Sequence, residues 1–189
     1  MKNTKIITAF PACGKSWVYE HQEELNIKVL DSDSSTFSWM WRRRTKEELA
    51  TAKKEWESVP HLLDGKGYVN KIKDELIKVR NPDFPKNYIK YIKENIGKYD
   101  YIFVSTHEEV RRALAEANID FTIVFPRQDL KAEWVGRCFL RGSGETFCKL
   151  IADNWDTWIL QLEEEGVVNL RDTFHLQSGE YLDTVLKFI

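Results

Sequence analysis

Lys5 to Ser16 reads KIITAFPACGKS, and how these residues are interpreted decides the fold. Lys5 to Phe10 is a short, β-branched apolar run that stops at Pro11, the pattern of a strand buried on both faces of a parallel sheet. Ala9 to Ser16, AFPACGKS, follows G-x-x-x-x-G-K-[ST] except that Ala9 holds the first glycine position. That spacing turns backbone N–H groups inward around a phosphate and puts a glycine where a side chain would collide with it. It also aims a helix N-terminus at the charge. Gly14 meets the glycine requirement, and Pro11, Ala12 and Cys13 form the rest of the loop. Lys15 is expected to bridge the β- and γ-phosphates of ATP, and Ser16 to ligate Mg²⁺. The plain alternative is an ordinary strand-to-helix turn in which Lys15 and Ser16 open an exposed helix. Cys13 also reads two ways, as a thiolate favoured by Lys15 and the helix N-terminus or as a buried, inert thiol.

Working outward, a helix is expected from about Lys15, and Ile27 to Leu30 (IKVL) reads as a second strand closed by the polar cluster DSDSS at Asp31 to Ser35. Strand, helix and strand make a βαβ unit. From Thr45 to Gly97 the texture is helical: Thr45 and Glu48 have capping-box spacing, and Ile72, Leu76 and Val79 keep helical spacing. Arg80 to Pro85 (RNPDFP) interrupts that region. Tyr101 to Ser105 and Phe121 to Phe125 read as further buried strands, with a helix from Glu108 to Asn118 between them. Thr106 and Glu109 form a second capping box at its start. Val167 to Leu170 reads as the last strand, and a closing helix is expected from near Ser178 to the C-terminus. The expected fold is α/β: a parallel five-stranded sheet with helices on both faces, in one domain whose residues 35–98 form a mostly helical insert. Ligands of such sheets bind at the carboxyl ends of the strands.

The chain has 189 residues, enough for one domain with a substantial core. Lys and Arg total 28 against 30 Asp and Glu, a net charge of -2, so no global basic field advertises a long stretch of nucleic acid as partner. No apolar run reaches the length of a membrane span. Cys13, Cys138 and Cys148 cannot all pair and lack C-x-x-C spacing, which favours a reducing cytoplasm over a disulfide framework or a structural zinc site.

AFPACGKS, the acidic DSDSS after the second strand, the insert, the YIFVSTH strand end and a later arginine helix together resemble the nucleoside monophosphate kinase-like group of P-loop kinases. This group includes adenylate, gluconate and shikimate kinases and phage deoxynucleotide kinases. The resemblance implies a P-loop NTPase sheet, ATP and Mg²⁺ as cofactors, an insert that carries the acceptor, and a lid after the fourth strand. The lid would span residues 127–147, where Arg137 and Arg141 stand four apart on one helix face and can converge on a phosphate cluster. Gly142 and Gly144 offer a hinge. A solvated face paired with Glu133 and Glu145 is the competing interpretation.

The family often ends the strand before the helix at Glu108 with an acidic residue, but Ser105, Thr106 and His107 stand there instead. Asp31 and Asp33 are the replacements, one to hold Mg²⁺ and the other to accept a proton from the acceptor hydroxyl. Asp31 is favoured for the metal and Asp33 for the acceptor; an Asx-rich turn is the alternative. Phe37 to Arg44, FSWMWRRR, supplies the acceptor candidates Trp39, Trp41, Arg42 and Arg43, since nucleobases stack on indoles and guanidinium groups receive phosphates. Core packing of the tryptophans and a solvated arginine turn explain the same residues. Arg80 is a further candidate, and Arg111 and Arg112 read mainly as exposed.

The expected function is therefore transfer of the ATP γ-phosphoryl group to a nucleotide-type small molecule, foremost a (deoxy)nucleoside monophosphate. A hydroxyl of DNA or RNA as acceptor, or an ATP-dependent switch without turnover, are the alternatives. Nucleic acid is possible as acceptor but not favoured.

Overall fold

The computed structural model describes residues 3–57, 76–168 and 171–189. Its elements in chain order are β1 (Lys5–Ala9), α1 (Lys15–Glu20), β2 (Val29–Asp31), α2 (Ser35–Ser38), β3 (Trp39–Arg43), α3 (Lys46–Glu57), β4 (Leu76–Arg80) and α4 (Lys86–Asn95). There follow β5 (Tyr101–Val104), α5 (Glu108–Glu116), β6 (Thr122–Pro126), a 3₁₀ turn (Gln128–Leu130), α6 (Lys131–Leu140), α7 (Glu145–Val168), β7 (Thr173–Leu176) and α8 (Leu182–Leu186).

The chain divides into two compact units, one of Met1–Ser34 with Pro85–Ile189 and one of Ser35–Phe84. The first holds a five-stranded, all-parallel sheet in the order β2-β5-β1-β6-β7 with helices between its strands, an α/β fold of the Rossmann-like or P-loop-like kind. β1 is central because it is apolar without alternation: Ile6, Ile7, Thr8 and Ala9 are all buried. The chain moves from β1 outward to β2 and later crosses to β6, so a crevice opens at the carboxyl end of β1. Phe10 carries the core past the strand end, with its ring edge-on to Trp155 at 5.6 Å. Edge-to-face pairs of this kind contribute about 0.5–1.5 kcal/mol beyond the area they bury.

The second unit pairs β3 with β4 in an antiparallel two-stranded sheet. The Thr45 and Glu48 capping box forms as expected: Glu48 N–H donates to Thr45 Oγ1 at 3.2 Å, and Thr45 N–H to Glu48 Oε2 at 2.8 Å.

Several expectations are corrected. Leu76 and Val79 lie on a strand, because the alternation of Ile77 and Val79 with Lys78 and Arg80 is satisfied by pairing with β3; Ile72 lies outside the described residues. The insert therefore also holds the antiparallel β3–β4 pair, and the second compact unit spans Ser35–Phe84. Val167 and Val168 end helix α7 instead of forming the last strand, which is β7; residues 169–170 lie outside the description. Gly166 is what lets β7 approach α7, since a Cβ there would sit 2.4 Å from Thr173 Cγ2. The final helix starts at Leu182, after a turn in which Gly179 has φ +78°. His107, not Thr106, occupies the N-cap of α5 and makes no side-chain cap hydrogen bond. Among the described residues no helix is long and apolar enough to cross a membrane.

Candidate functional site at the carboxyl end of β1

The loop from Phe10 to Gly14 is tied down on three sides. Phe10 N–H donates to Val124 O on β6 at 2.9 Å, Trp134 Nε1 donates to Pro11 O at 3.0 Å, and Leu182 N–H donates to Cys13 O at 2.8 Å. Left-handed backbone falls at Ala12 (φ 62°) and Gly14 (φ 94°), while Ala9 belongs to the extended strand. The missing first glycine is therefore no defect: the position it would hold needs no positive φ. Gly14 is required twice over, by its φ and because an added Cβ would lie 3.3 Å from the Tyr181 side chain.

Lys15 folds back over the loop, its Nζ donating to Ala9 O at 2.6 Å and Phe10 O at 3.3 Å. Burial lowers its pKa, opposed by the nearby Cys13, Asp31 and Asp33. The ammonium is thus poorly hydrated and held at the loop mouth. Ser16 Oγ donates to Asp31 Oδ2 at 3.2 Å. Burial raises the Asp31 pKa above 3.8, with Lys15 and the Ser16 hydrogen bond acting against it. β2 ends at Asp31, so Asp33 is not on the strand with it; Asp33 is exposed and close enough to raise the pKa of both Asp31 and Lys15. Just past the end of β5, Ser105 Oγ donates to Ser34 Oγ at 2.9 Å, an uncharged contact.

Cys13 is fully buried and its thiol is pushed up to about 12 by burial, with Lys15 and Arg137 only partly offsetting this. Of the two readings of Cys13, burial favours the inert thiol, because loss of hydration outweighs the adjacent positive charge.

Arg137 and Arg141 both border a cavity of about 410 Å³ with Ala12, Gly14, Lys15, Ser16, Trp17, Leu140 and Tyr181. They differ in how they are held. The Arg137 guanidinium sits between the Trp134 and Tyr181 rings, 3.9 and 4.0 Å from their centroids, pairs with Glu133 at 2.5 Å and donates to Glu180 O at 2.7 Å. It is a fixed clamp rather than a mobile arm. Arg141 is exposed, with Nε donating to Ser143 Oγ at 2.8 Å. Arg137→Ala is expected to cost about 2 kcal/mol through the lost desolvated stacking, lowering the melting temperature by roughly 4–8 °C. Arg141→Ala should leave the melting temperature unchanged and, on the sequence-based expectation of ATP-dependent transfer, lower turnover by roughly tenfold or more with little change in ATP affinity. Calorimetry and steady-state kinetics on the two variants check both outcomes.

A second cavity, of about 450 Å³, is bordered by Phe10 and Pro11, by Thr106 to Glu109 and Arg111, and by Phe147, Trp158 and Gln161 of α7 among others. Arg111 is 3% exposed, not a surface residue as expected, since it bridges α5 to α7 through Glu165 at 2.7 Å and also donates to Thr106 O. Arg112 is exposed and pairs with Glu108. Sequence reasoning missed Tyr181, Trp134 and this cavity. Trp134 and Trp158 carry only the general signal of aromatic residues on a helix, and nothing local marks Tyr181.

Of the insert candidates, Arg42 is held by Glu48 in a bidentate pair of 2.6 and 2.7 Å. Trp39, Trp41 and Arg43 lie on the exposed face of β3, not in a core. Among the described residues no group of three or more His, Cys, Asp or Glu side chains is arranged to hold a metal ion. No protein-family model, curated protein or solved structure matches this chain.

Proposed function

We propose that the protein is an ATP-dependent phosphotransferase of the P-loop kinase class, acting on a nucleotide-type acceptor, foremost a (deoxy)nucleoside monophosphate. The observation that carries this reading is the hydrogen bond from Ser16 to Asp31 beside Lys15, at the carboxyl end of the central strand. A strand-to-helix turn with no ligand gives no reason to set a half-buried carboxylate against the first turn of α1 and a partly desolvated lysine.

In this reading the backbone N–H groups of the loop receive the β-phosphate, and Lys15 exchanges its two carbonyl acceptors for phosphate oxygens. Ser16 Oγ and Asp31 Oδ2 are hard oxygen donors already in contact, a set that suits Mg²⁺. Mg²⁺ bound there would neutralise charge on the β- and γ-phosphate oxygens. Asp33 takes the proton carried by the acceptor's attacking oxygen, whether that oxygen belongs to a monophosphate or to a hydroxyl, as ADP leaves, and Arg141 adds positive charge from the exposed end of α6. Arg137, with Tyr181, keeps the loop before α8 against Gly14. The cavity bordered by Phe147 and Trp158 is lined by apolar side chains together with Thr106, His107, Glu108, Glu109, Arg111 and Gln161, and its volume suits a nucleobase. The three cysteines are unbridged, in keeping with action in a reducing cytoplasm.

A screen of mononucleotides, nucleosides and short oligonucleotides for acceptor-dependent ADP release tests the reading. Sustained release with at least one mononucleotide is expected. ATP binding without turnover on any acceptor would leave the switch alternative in its place.

A further inference from the structure

We infer that the β3–β4 ribbon is a binding surface for single-stranded nucleic acid, a property that goes beyond the phosphotransferase reading and does not depend on it. The register pairs Trp39 with Arg80, Trp41 with Lys78 and Arg43 with Leu76. Directly opposed residues share a face, and alternate residues along a strand return to it. One face of the ribbon therefore carries Trp39, Trp41, Arg43, Leu76, Lys78 and Arg80, and all six are exposed. The opposite face carries Met40, Arg42, Ile77 and Val79; Met40 is exposed, the other three are half-buried, and Arg42 is engaged by Glu48 of α3.

Two indoles and three cations thus alternate on one open face with no acidic residue among them. Trp41 is 64% exposed and Trp39 43%. The Lys78 ammonium and the Arg80 guanidinium lie 5.5 and 5.7 Å from the Trp39 ring centroid. Leaving two tryptophans in water has a hydrophobic cost, and single exposed apolar residues do not make a patch of this kind. Trp39 and Trp41 are two residues apart, about 6.6 Å along the strand, close to two base-stacking steps of about 3.4 Å. One base fits between the indoles, or one on each, with the adjoining cations beside the sugar-phosphate backbone.

The chain as a whole has a net charge of -2, so the three positive charges on this face are a local feature. A second copy of the same face would bring cation against cation, which disfavours self-association. The cations also stand opposite the indoles residue by residue instead of ringing an apolar tip, an arrangement suited to a polymer that alternates bases and phosphates rather than to a lipid surface.

The test is fluorescence anisotropy of a labelled mixed-sequence 12-mer, as single-stranded DNA and as RNA, with EDTA present and ATP absent so that phosphoryl transfer plays no part. Saturable binding is expected, weakening with salt at a slope near -2 in log K against log salt for three displaced counterions. Trp41→Ala should weaken binding about 5- to 150-fold while Trp41→Phe, which keeps a stacking ring, retains most of it. Replacing Arg43, Lys78 and Arg80 together by Ala should remove most of the salt dependence, and Arg112→Ala on α5 should change neither quantity. Circular dichroism and melting temperature establish that the variants are folded. Absence of binding, equal affinity for duplex, competition by a mononucleotide at equal concentration, preference for phosphatidylserine vesicles, or affinity unmoved by the ribbon substitutions would each overturn the inference.

Discussion

Lys15→Ala is expected to lower phosphoryl transfer by at least about 10²–10³-fold while the protein remains folded. Lys15 Nζ caps two loop carbonyls, at 2.6 and 3.3 Å, and these oxygens can turn to water when the side chain is removed. What cannot be replaced is a partly desolvated positive charge at the loop mouth, where charge on a transferring phosphoryl group is worth most to stabilise. The loss should appear in kcat more than in the affinity for ATP, because the backbone donors of the loop remain. Acceptor-dependent ADP release and a melting curve on the same preparation give the answer. Comparable turnover in variant and parent would refute the proposed phosphate site.

The second large effect is expected at Asp31 and Asp33. Asp33→Asn should lower turnover by about 10²–10⁴-fold, the usual cost of removing a positioned general base, and added Mg²⁺ should not restore it. Asp31→Asn should act differently: it retains an oxygen acceptor for Ser16 but loses the charge that suits a divalent cation, so its loss should be partly recovered at high Mg²⁺.

The pH profile separates the two residues further. Burial raises the Asp31 pKa, so its carboxylate is protonated at a higher pH than an ordinary aspartate at 3.8. Activity that requires the ionised form is present above that raised pKa and lost as pH falls through it. Asp31→Asn should remove this acidic limb. Burial lowers the Lys15 pKa below 10.5, so activity that needs the ammonium is lost as pH rises through the lowered value. If neither aspartate variant slows turnover, both residues belong to a turn and the assignment fails.

Much of the sheet was legible because a parallel strand buried on both faces must be apolar without alternation. KIITA, YIFV and TIVFP announce themselves, and their order predicts a parallel sheet. The loop between Ala9 and Lys15 was legible too, since a glycine with positive φ ahead of Lys-Ser is a local requirement that the backbone imposes on the sequence. Short-range spacing likewise disclosed the Thr45–Glu48 cap. These features depend on neighbours within a few residues, so amino-acid order alone determines them.

Other features were decided only by contacts between residues far apart in the chain. Leu76 and Val79 have helical spacing, but cross-strand pairing with β3 settles them as strand. The same pairing turns WMWRR from a candidate core segment into an exposed ribbon, because register determines which side chains share a face. Arg111 and Arg112 are neighbours of one type, yet Glu165, 54 residues away, holds the first in a buried bridge while the second stays at the surface. Arg137 and Arg141 look equivalent at their spacing, and Tyr181 and Glu180, brought back by the chain after β7, join Trp134 and Glu133 to make one a clamp. The contact between Ser16 and Asp31 is of the same kind: each residue marks the end or start of an element, and the packing of α1 against β2 brings hydroxyl and carboxylate together. Local backbone preference selects the elements, whereas burial, register and charge pairing between distant segments determine which side chains meet.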